Sequence, residues 1–151
     1  MKVRQIMSGN IVTIEDSGNC HEAVEKMVRH RVRHLPVVTR QGALCGIVTD
    51  RDLRHYLFEP DTTRQVGTVG LEKLMKSMPI ARVMSAPVTT VDADEPMEQA
   101  ARLMLERKLG SLPVMDGGHL AGIVTETDLL RRILGEDACC ADVSEIVVSY
   151  P

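Results

Sequence analysis

The sequence predicts a mixed α/β (α+β) fold in which two pseudo-symmetric units of β-α-β-β-α type pack sheet to sheet. Three observations lead to this prediction. The chain of 151 residues carries one pattern of motifs twice. Each repeat alternates short apolar runs with amphipathic stretches at helical spacing. A unit of about 50 residues is too small to bury its own sheet well, so two units should share a core.

The repeat is visible when residues 3–54 are set beside residues 80–130, with a single gap. Met-Ser precedes the first strand, Leu-Pro-Val follows the first helix, and Gly-Ile-Val-Thr-x-x-Asp-Leu leads into the last helix. The matching stretches are Met7-Ser8 with Met84-Ser85, Leu35-Pro36-Val37 with Leu112-Pro113-Val114, and Gly46-Ile47-Val48-Thr49 with Gly122-Ile123-Val124-Thr125. So many identities in one order indicate a duplication.

Each repeat is expected to open with a strand, at residues 11–14 and 88–91, followed by a helix. Ser17 or Asn19 can cap the first of these helices, and Asp94, close to Pro96, is expected to start the second. Hairpins are predicted at 35–48 and 112–124, and a closing helix begins near Thr49 or Thr125.

The predicted organisation is a first unit at 1–58, a linker at 59–79, a second unit at 80–134 and a tail at 135–151. The linker should contain a helix, which is indicated by Val66, Val69, Leu74, Met75 and Met78. In the tail, the apolar run Ile146-Val147-Val148 can form an edge strand or cover a partner subunit.

Composition and charge exclude several classes of protein. A net charge of −3, with two Tyr, one Phe and no Trp, argues against nucleic-acid binding, which uses basic and aromatic surfaces. No apolar run reaches the length of a membrane span, and the first ten residues lack the apolar core of a signal peptide. We therefore expect a cytoplasmic protein that binds neither nucleic acid nor a membrane.

The sequence also lacks the motifs of an enzyme or a metal site. It contains no G-x-S-x-G, P-loop or H-E-x-x-H motif. Its four cysteines, Cys20, Cys45, Cys139 and Cys140, form no C-x-x-C pair, and its five histidines show no metal spacing. We expect no catalytic residues and no bound metal.

The duplicated motifs resemble a tandem pair of CBS domains, the Bateman module named after cystathionine β-synthase, over roughly residues 1–134. The resemblance implies clefts between the two units that bind an adenosine-containing ligand, namely AMP, ADP, ATP or S-adenosylmethionine. It implies a regulatory sensor that requires no other cofactor, forms a homodimer and signals to an unidentified regulated protein by a conformational change.

The resemblance also implies three groups of ligand contacts. Ribose hydroxyls would donate to the carboxylates of Asp52 and Asp128. Phosphate would meet cations, hydroxyls and the N–H groups at the starts of the last helices. The phosphate-binding side chains would be Arg33, His34, Thr49, Arg51, Thr125 and Thr127. The adenine slot would be lined by Ser8, Ile11, Thr13, Ile47, Ser85, Val88, Thr90 and Ile123.

Several alternatives stay open at this level. Thr49-x-x-Asp52 and Thr125-x-x-Asp128 also look like capping boxes, in which the acid satisfies a backbone N–H. Arg33-His34 has Gly110-Ser111 as its counterpart, so the two clefts cannot be equivalent, and a basic pair on one repeat can serve a cleft whose Asp belongs to the other. The chain could also be a structural dimerisation module whose clefts are degenerate and empty.

Overall fold

The structure is a computed structural model that describes residues 1–57 and 70–135. A short 3₁₀ turn at Val3–Gln5 precedes the first copy, which consists of β1 (Ile14–Glu15), α1 (Cys20–His30), β2 (His34–Val38), β3 (Leu44–Thr49) and α2 (Asp50–Leu57). Helix α3 at residues 70–77 and helix α4 (Ile80–Val83) follow. The second copy consists of β4 (Val91–Asp92), α5 (Met97–Arg107), β5 (Ser111–Asp116), β6 (His119–Thr125) and α6 (Glu126–Ile133). The predicted β-α-β-β-α order is confirmed in both copies.

The sheets of the two copies have the same topology and register. In each, the first strand runs parallel to the second, and the second and third form an antiparallel hairpin. Pro36 lies opposite Ile47 in the first hairpin, and Pro113 lies opposite Ile123 in the second. A register shift occurs one position after Pro36 and after Pro113, between Val37 and Val38 and between Val114 and Met115. This agreement supports the duplication.

The opening strand of each copy is shorter than predicted. The expected strands at 11–14 and 88–91 are paired only from Ile14 and Val91 onward. With Ile14 opposite Val37, one more ladder step would need a hydrogen bond from the N–H of residue 36 to the carbonyl of Val12. Pro36 has no N–H, and Pro113 imposes the same limit on the second copy. Residues 11–13 and 88–90 therefore stay outside the ladder.

The helix starts agree with the prediction in the first copy and contradict it in the second. Asn19 caps α1, and its side chain accepts a hydrogen bond of 2.9 Å from the backbone N–H of Glu22. Helix α5 begins after Pro96 without a side-chain cap, so the expected start at Asp94 is wrong. The carboxylate of Asp94 is engaged instead by Lys2 and Arg4, at 2.9 and 3.0 Å.

Residues 70–77 of the predicted linker form a helix, from which Leu74 and Met75 pack on the first core. Val66 and Val69, and the tail residues 136–151 with Ile146-Val147-Val148, lie outside the described residues. No helix in the described part of the chain has the length and hydropathy needed to cross a membrane.

The leading segment of each copy packs into the core of the other copy. Val3 and Ile6 are buried among second-copy residues such as Val114. Ile80 and Val83 of α4 are likewise buried among first-copy residues. Each hydrophobic core therefore contains residues from both sequence repeats. The predicted unit boundaries divide the chain by sequence and stay a prediction.

The two sheets face each other across the middle of the molecule. Leu35 and Val37 point into the helix-covered core, so strand alternation places Pro36 on the opposite face. Pro36 and its counterpart Pro113 are nevertheless less than 2% exposed. Each proline face must therefore be covered by the other copy, as the sheet-to-sheet prediction required.

Candidate functional site

Each copy lends a segment to the last strand of the other copy, at two equivalent places beside which the two predicted clefts would lie. Ser8 and Ile123 exchange backbone hydrogen bonds of 2.9 and 3.1 Å, and Ser85 and Ile47 exchange bonds of the same lengths. We call the first the Asp128 cleft; its predicted residues are Ser8, Ile11, Thr13, Ile123, Thr125, Thr127 and Asp128. We call the second the Asp52 cleft; its predicted residues are Ser85, Val88, Thr90, Ile47, Thr49, Arg51 and Asp52.

Asp52 and Asp128 both take part in capping boxes. One carboxylate oxygen of Asp52, Oδ2, accepts from the N–H of Thr49 at 2.9 Å, and the Thr49 hydroxyl accepts from the N–H of Asp52 at 3.1 Å. Asp128 Oδ2 accepts from the N–H and the hydroxyl of Thr125, both at 2.8 Å. Within the described residues, Oδ1 of each carboxylate has no hydrogen-bond partner. The cap is present, and an acceptor oxygen remains beside it.

The N–H groups at the start of α2 are already used inside the protein. The N–H of Asp50 donates to the carbonyl of Arg33 at 3.0 Å, that of Arg51 to the Asp50 carboxylate at 2.9 Å, and that of Asp52 to Thr49. The expectation that this helix start offers free N–H groups to a phosphate is therefore wrong for α2. An anion in the Asp52 cleft would have to be held by side chains.

Helix α6 differs from α2 in one N–H group. The N–H of Glu126 donates to the carbonyl of Gly110 at 3.1 Å, and that of Asp128 donates to Thr125 at 3.3 Å. In the described part of the chain, the N–H of Thr127 has no recorded partner. The Thr125 hydroxyl donates to Asp128, so it is less available to a ligand than was expected.

Arg33 and Arg51 are exposed cations beside the start of α2. Among residues 1–57 and 70–135, neither side chain has a recorded ion pair or hydrogen bond. Asp50, the first residue of α2, is paired with Arg54 instead, at 3.4 Å. Two basic side chains beside the start of α2 are therefore without an ion pair in the described part of the chain.

His34 lies where the two copies meet. A methyl group built on Gly110 would stand 3.3 Å from Nε2 of His34 and 4.0 Å from the carboxylate of Glu126. Burial is the main cause that lowers the pKa of His34, and the charge of Arg33 also lowers it, against the opposing effect of nearby carboxylates. A side chain at position 110 would therefore require the His34 ring to shift by a few tenths of an ångström.

The adenine-slot segment of the Asp52 cleft has open backbone groups. Residues 88–90 are half-buried, and no backbone hydrogen bond joins them to another described segment. Val88 and Thr90 line a cavity of about 640 Å³ with Leu44 and Cys45 of the first hairpin and Leu120 of the second. Of the predicted slot residues, Val88 and Thr90 line this cavity, whereas Ile47 and Ser85 are not among its lining residues.

The matching segment of the first copy is in a different setting. The carbonyl of Thr13 accepts a 2.8 Å hydrogen bond from Nζ of Lys26. Thr13 lines a separate cleft of about 440 Å³ with charged residues of its own copy, among them Glu22, Lys26 and Arg40. The two slots are therefore unequal.

Cys45 is a cleft residue that the sequence reasoning missed. It lies beside Val88 and Thr90, its thiol donates to the carbonyl of Val37 at 3.4 Å, and burial raises its pKa. Alternation along β3 would have found it, because Cys45 and Ile47 share one face of the strand. Within residues 1–57 and 70–135, no three His, Cys, Asp or Glu side chains are placed to hold a metal ion.

Comparison with known proteins gives consistent results. The family model of the CBS domain matches residues 3–59 and 80–135. A CBS domain-containing protein of Dictyostelium discoideum is 36% identical over 133 residues, which are 87% of this chain and 90% of that protein. The chain covers much less of longer relatives, such as 32% of an uncharacterized protein of Methanocaldococcus jannaschii and 25% of a homoserine O-acetyltransferase of Methanocorpusculum labreanum.

Two similar crystal structures contain adenosine derivatives. The CBS domain pair of protein MJ0100, in complex with 5′-methylthioadenosine and S-adenosyl-L-methionine, is 27% identical with a TM-score of 0.75, over 90% of this chain and 98% of that one. CBSX2 in complex with AMP is 29% identical with a TM-score of 0.70, over 89% of this chain and 96% of that one. By sequence and by fold, this chain belongs to the CBS domain family and contains a tandem pair of these domains.

Proposed function

We propose that this chain is a non-catalytic regulatory module that binds an adenosine-containing ligand between its two CBS domains and signals to a partner protein by a conformational change. The observation that carries the proposal is the mirrored exchange of segments. The strand that leads to Asp52 is hydrogen-bonded to Ser85, which comes from the other copy and precedes the open segment 88–90. A ligand in this cleft would touch both copies.

Each part of an adenosine ligand has a suitable partner in the Asp52 cleft. The adenine edge can bond to the open backbone of residues 88–90, between aliphatic side chains such as Val88. A ribose hydroxyl can donate to the remaining oxygen of Asp52, whose orientation the capping box fixes. Arg33 and Arg51 can approach a phosphate, because charge-assisted hydrogen bonds are the stronger ones.

The Asp128 cleft fits a phosphorylated ligand less well. Its helix start carries Glu126, Thr127 and Asp128, whereas the start of α2 has Arg51 at the position of Thr127. The counterpart of Arg33 is Gly110. We therefore propose that the Asp52 cleft is the main site for AMP, ADP or ATP, and that the Asp128 cleft binds these ligands more weakly.

The ligand would act by changing the relation between the two copies. A ligand can shift a conformational equilibrium only by its difference in affinity for the two states. A ligand that bridges segment 88–90 and Asp52 favours the arrangement in which both are in contact range. A partner protein that recognises this arrangement would then be coupled to ligand concentration.

The first experiment is a thermal-shift panel with AMP, ADP, ATP, S-adenosylmethionine and 5′-methylthioadenosine. A ligand at about 100 times its Kd should stabilise the protein by roughly 2.7 kcal/mol, which for a chain of this size is on the order of 5–10 °C. The absence of any shift at millimolar concentration contradicts the proposal.

Variants then identify the occupied cleft. Asp52→Asn keeps an oxygen for the cap but loses the carboxylate acceptor for ribose, so we expect AMP affinity to fall at least tenfold with little change in stability. Asp128→Asn should have a smaller effect. Asp92→Asn, an exposed aspartate at the end of β4, is the matched control. Equal affinity in all three variants would refute the ribose role.

A second proposal concerns assembly. At the end of α6, Leu130, Ile133 and the C-cap residue Leu134 are 59%, 72% and 74% exposed and share one helix face. We propose that a second copy of the chain covers this face in a homodimer, whether or not the clefts are occupied. If no ligand binds and the dimer forms, the chain is the structural dimerisation module described as the alternative. The cytoplasmic location and the regulated partner stay predictions.

A further inference from the structure

His34 faces the starts of both last helices at once. The preceding residue, Arg33, accepts a hydrogen bond from the N–H of Asp50, the first residue of α2. The imidazole itself lies against Gly110, whose carbonyl accepts from the N–H of Glu126, the first residue of α6. One half-buried ring is therefore shared by the regions from which both clefts would bind a phosphate.

We propose that binding of a phosphate-bearing adenosine ligand is coupled to the uptake of a proton by His34, so that the affinity for an anionic ligand falls as pH rises. The inference rests on the proposed function and deepens it, because it names how the same site is regulated and which ligand class is affected. A ligand without phosphate, such as adenosine, should bind without this proton.

The charged groups that face the ring come from three segments. Asp50 and Asp52 lie on α2, Arg33 lies immediately before β2, and Glu126 lies on α6. Gly110, which approaches from the second copy, carries no charge. Of the carboxylates, Asp50 is paired with Arg54 at 3.4 Å and Asp52 is held in its cap.

Burial lowers the pKa of His34 below the ordinary value of 6.5, which favours the neutral imidazole when no anion is near. A phosphate dianion nearby favours the charged form of a basic group. The ring then takes a proton from the solvent and becomes an imidazolium that can donate from both nitrogens. One imidazole can take up at most one proton, so this position contributes no more than one proton per chain, even when two ligands bind.

Isothermal titration calorimetry can count this proton. AMP and adenosine are titrated into the full chain at pH 7.5, in buffers with small and large ionisation enthalpies. At this pH the phosphate is already a dianion, since its second pKa is about 6. We expect proton uptake between zero and one with AMP, none with adenosine, and a fall in AMP affinity of up to about tenfold per pH unit as pH rises from 7 to 8.5.

The outcomes are separable. If wild-type protein binds AMP with no more proton uptake than adenosine, the inference is overturned and the proposed function stands. If it binds neither, both fail. His34→Gln should remove the proton uptake, whereas His30→Gln, an exposed histidine at the end of α1, should retain it.

A second measurement covers the case in which His34→Gln does not fold or bind. The imidazole resonances of the five histidines in the wild-type chain can be followed by NMR against pH, with and without AMP. We expect the titration midpoint of His34 to rise when AMP is bound. An unchanged midpoint for His34 in AMP-saturated protein would contradict the proton coupling.

Discussion

At the scale of single residues, Asp52 and Asp128 show that a carboxylate in a capping box can keep one oxygen available for a ligand. The sequence presented capping and ribose binding as alternatives for Asp52 and Asp128. The structure makes them compatible, because the cap occupies Oδ2 and leaves Oδ1 without a described partner. The cap also fixes the orientation of the carboxylate, which lowers the entropy that a ligand must pay for ordering it.

Asp94 gives a residue-scale prediction about pH. Hydrogen bonds from Arg4 and Lys2 lower its pKa from 3.8 to about 2. Because the folded-state pKa is depressed, the contribution of Asp94 to stability is present above the unfolded value and is lost as pH falls towards about 2. We expect Asp94→Asn to lower the melting temperature at pH 6, and the difference from wild type to shrink steadily between pH 4 and pH 2.

Differential scanning calorimetry across this pH range measures the effect. The side chain of Asp94 is 55% exposed, so about 1 M salt should also reduce the difference at pH 6. Glu106→Gln, which removes an exposed carboxylate on α5, serves as the control. A difference that persists undiminished at pH 2 would show that the carboxylate acts through something other than its charge.

At the scale of elements, the sequence predicted the order of strands and helices but missed how the copies exchange segments. The helices and hairpins follow from local periodicity and turn residues. The shortened first strands could also have been inferred, because Pro36 and Pro113 lack the N–H that a longer ladder needs. By contrast, nothing local shows that Val3 packs in the second core or Ile80 in the first, since tertiary contacts between repeats leave no period in the sequence.

The candidate site was predictable to a similar degree. The motifs predict Asp52 and Asp128 as ribose-binding residues, which stays a prediction. The pairing of Ser85 with Ile47 depends on the exchange of segments and required the structure. The sequence also could not predict that the N–H groups at the start of α2 already donate hydrogen bonds within the protein. One of them donates to the carbonyl of Arg33, which lies in another segment of the chain. The charged groups around His34 come from both copies, so their arrangement also required the structure.

Exchange of the leading segments gives an element-scale prediction. Val3 is fully buried in the core of the second copy, whereas Val28 on α1 is 73% exposed. Val3→Ala should lower the free energy of unfolding by about 2 kcal/mol, because it removes buried methyl groups and leaves a cavity. Val28→Ala should change it by less than about 0.5 kcal/mol.

Urea unfolding at equilibrium measures both variants. If the first segment were loosely attached, the two substitutions would have equal and small effects. Met97→Ala, whose backbone N–H donates to the carbonyl of Met1 but whose side chain is only partly buried, is expected to fall between them.

At the scale of the whole molecule, the duplication is broken in two ways. Charge is uneven, because residues 1–54 hold nine Lys and Arg against six Asp and Glu, while the whole chain has a net charge of −3. Apolar exposure is uneven too. Leu57 at the end of α2 is 2% exposed, whereas its counterpart Ile133 on α6 is 72% exposed. The first copy is therefore the more basic one, and the second copy carries the more apolar helix face.

The exposed face of α6 yields the prediction for the whole molecule. A stable dimer usually buries about 800 Å² on each partner, with an apolar centre. Ile133 lies between Leu130 and Leu134 on that face, so a charge there would be buried without a partner in a dimer. We expect wild-type chain to sediment as a dimer at micromolar concentration, and Ile133→Lys to sediment as a monomer with the same circular dichroism spectrum.

Gln99→Lys, an exposed position on α5, controls for the added charge. Native mass spectrometry of the same samples reports the subunit count and any ligand that co-purifies. Wild-type chain that is monomeric at 100 times that concentration, or Ile133→Lys that dimerises as tightly as wild type, would contradict this use of α6.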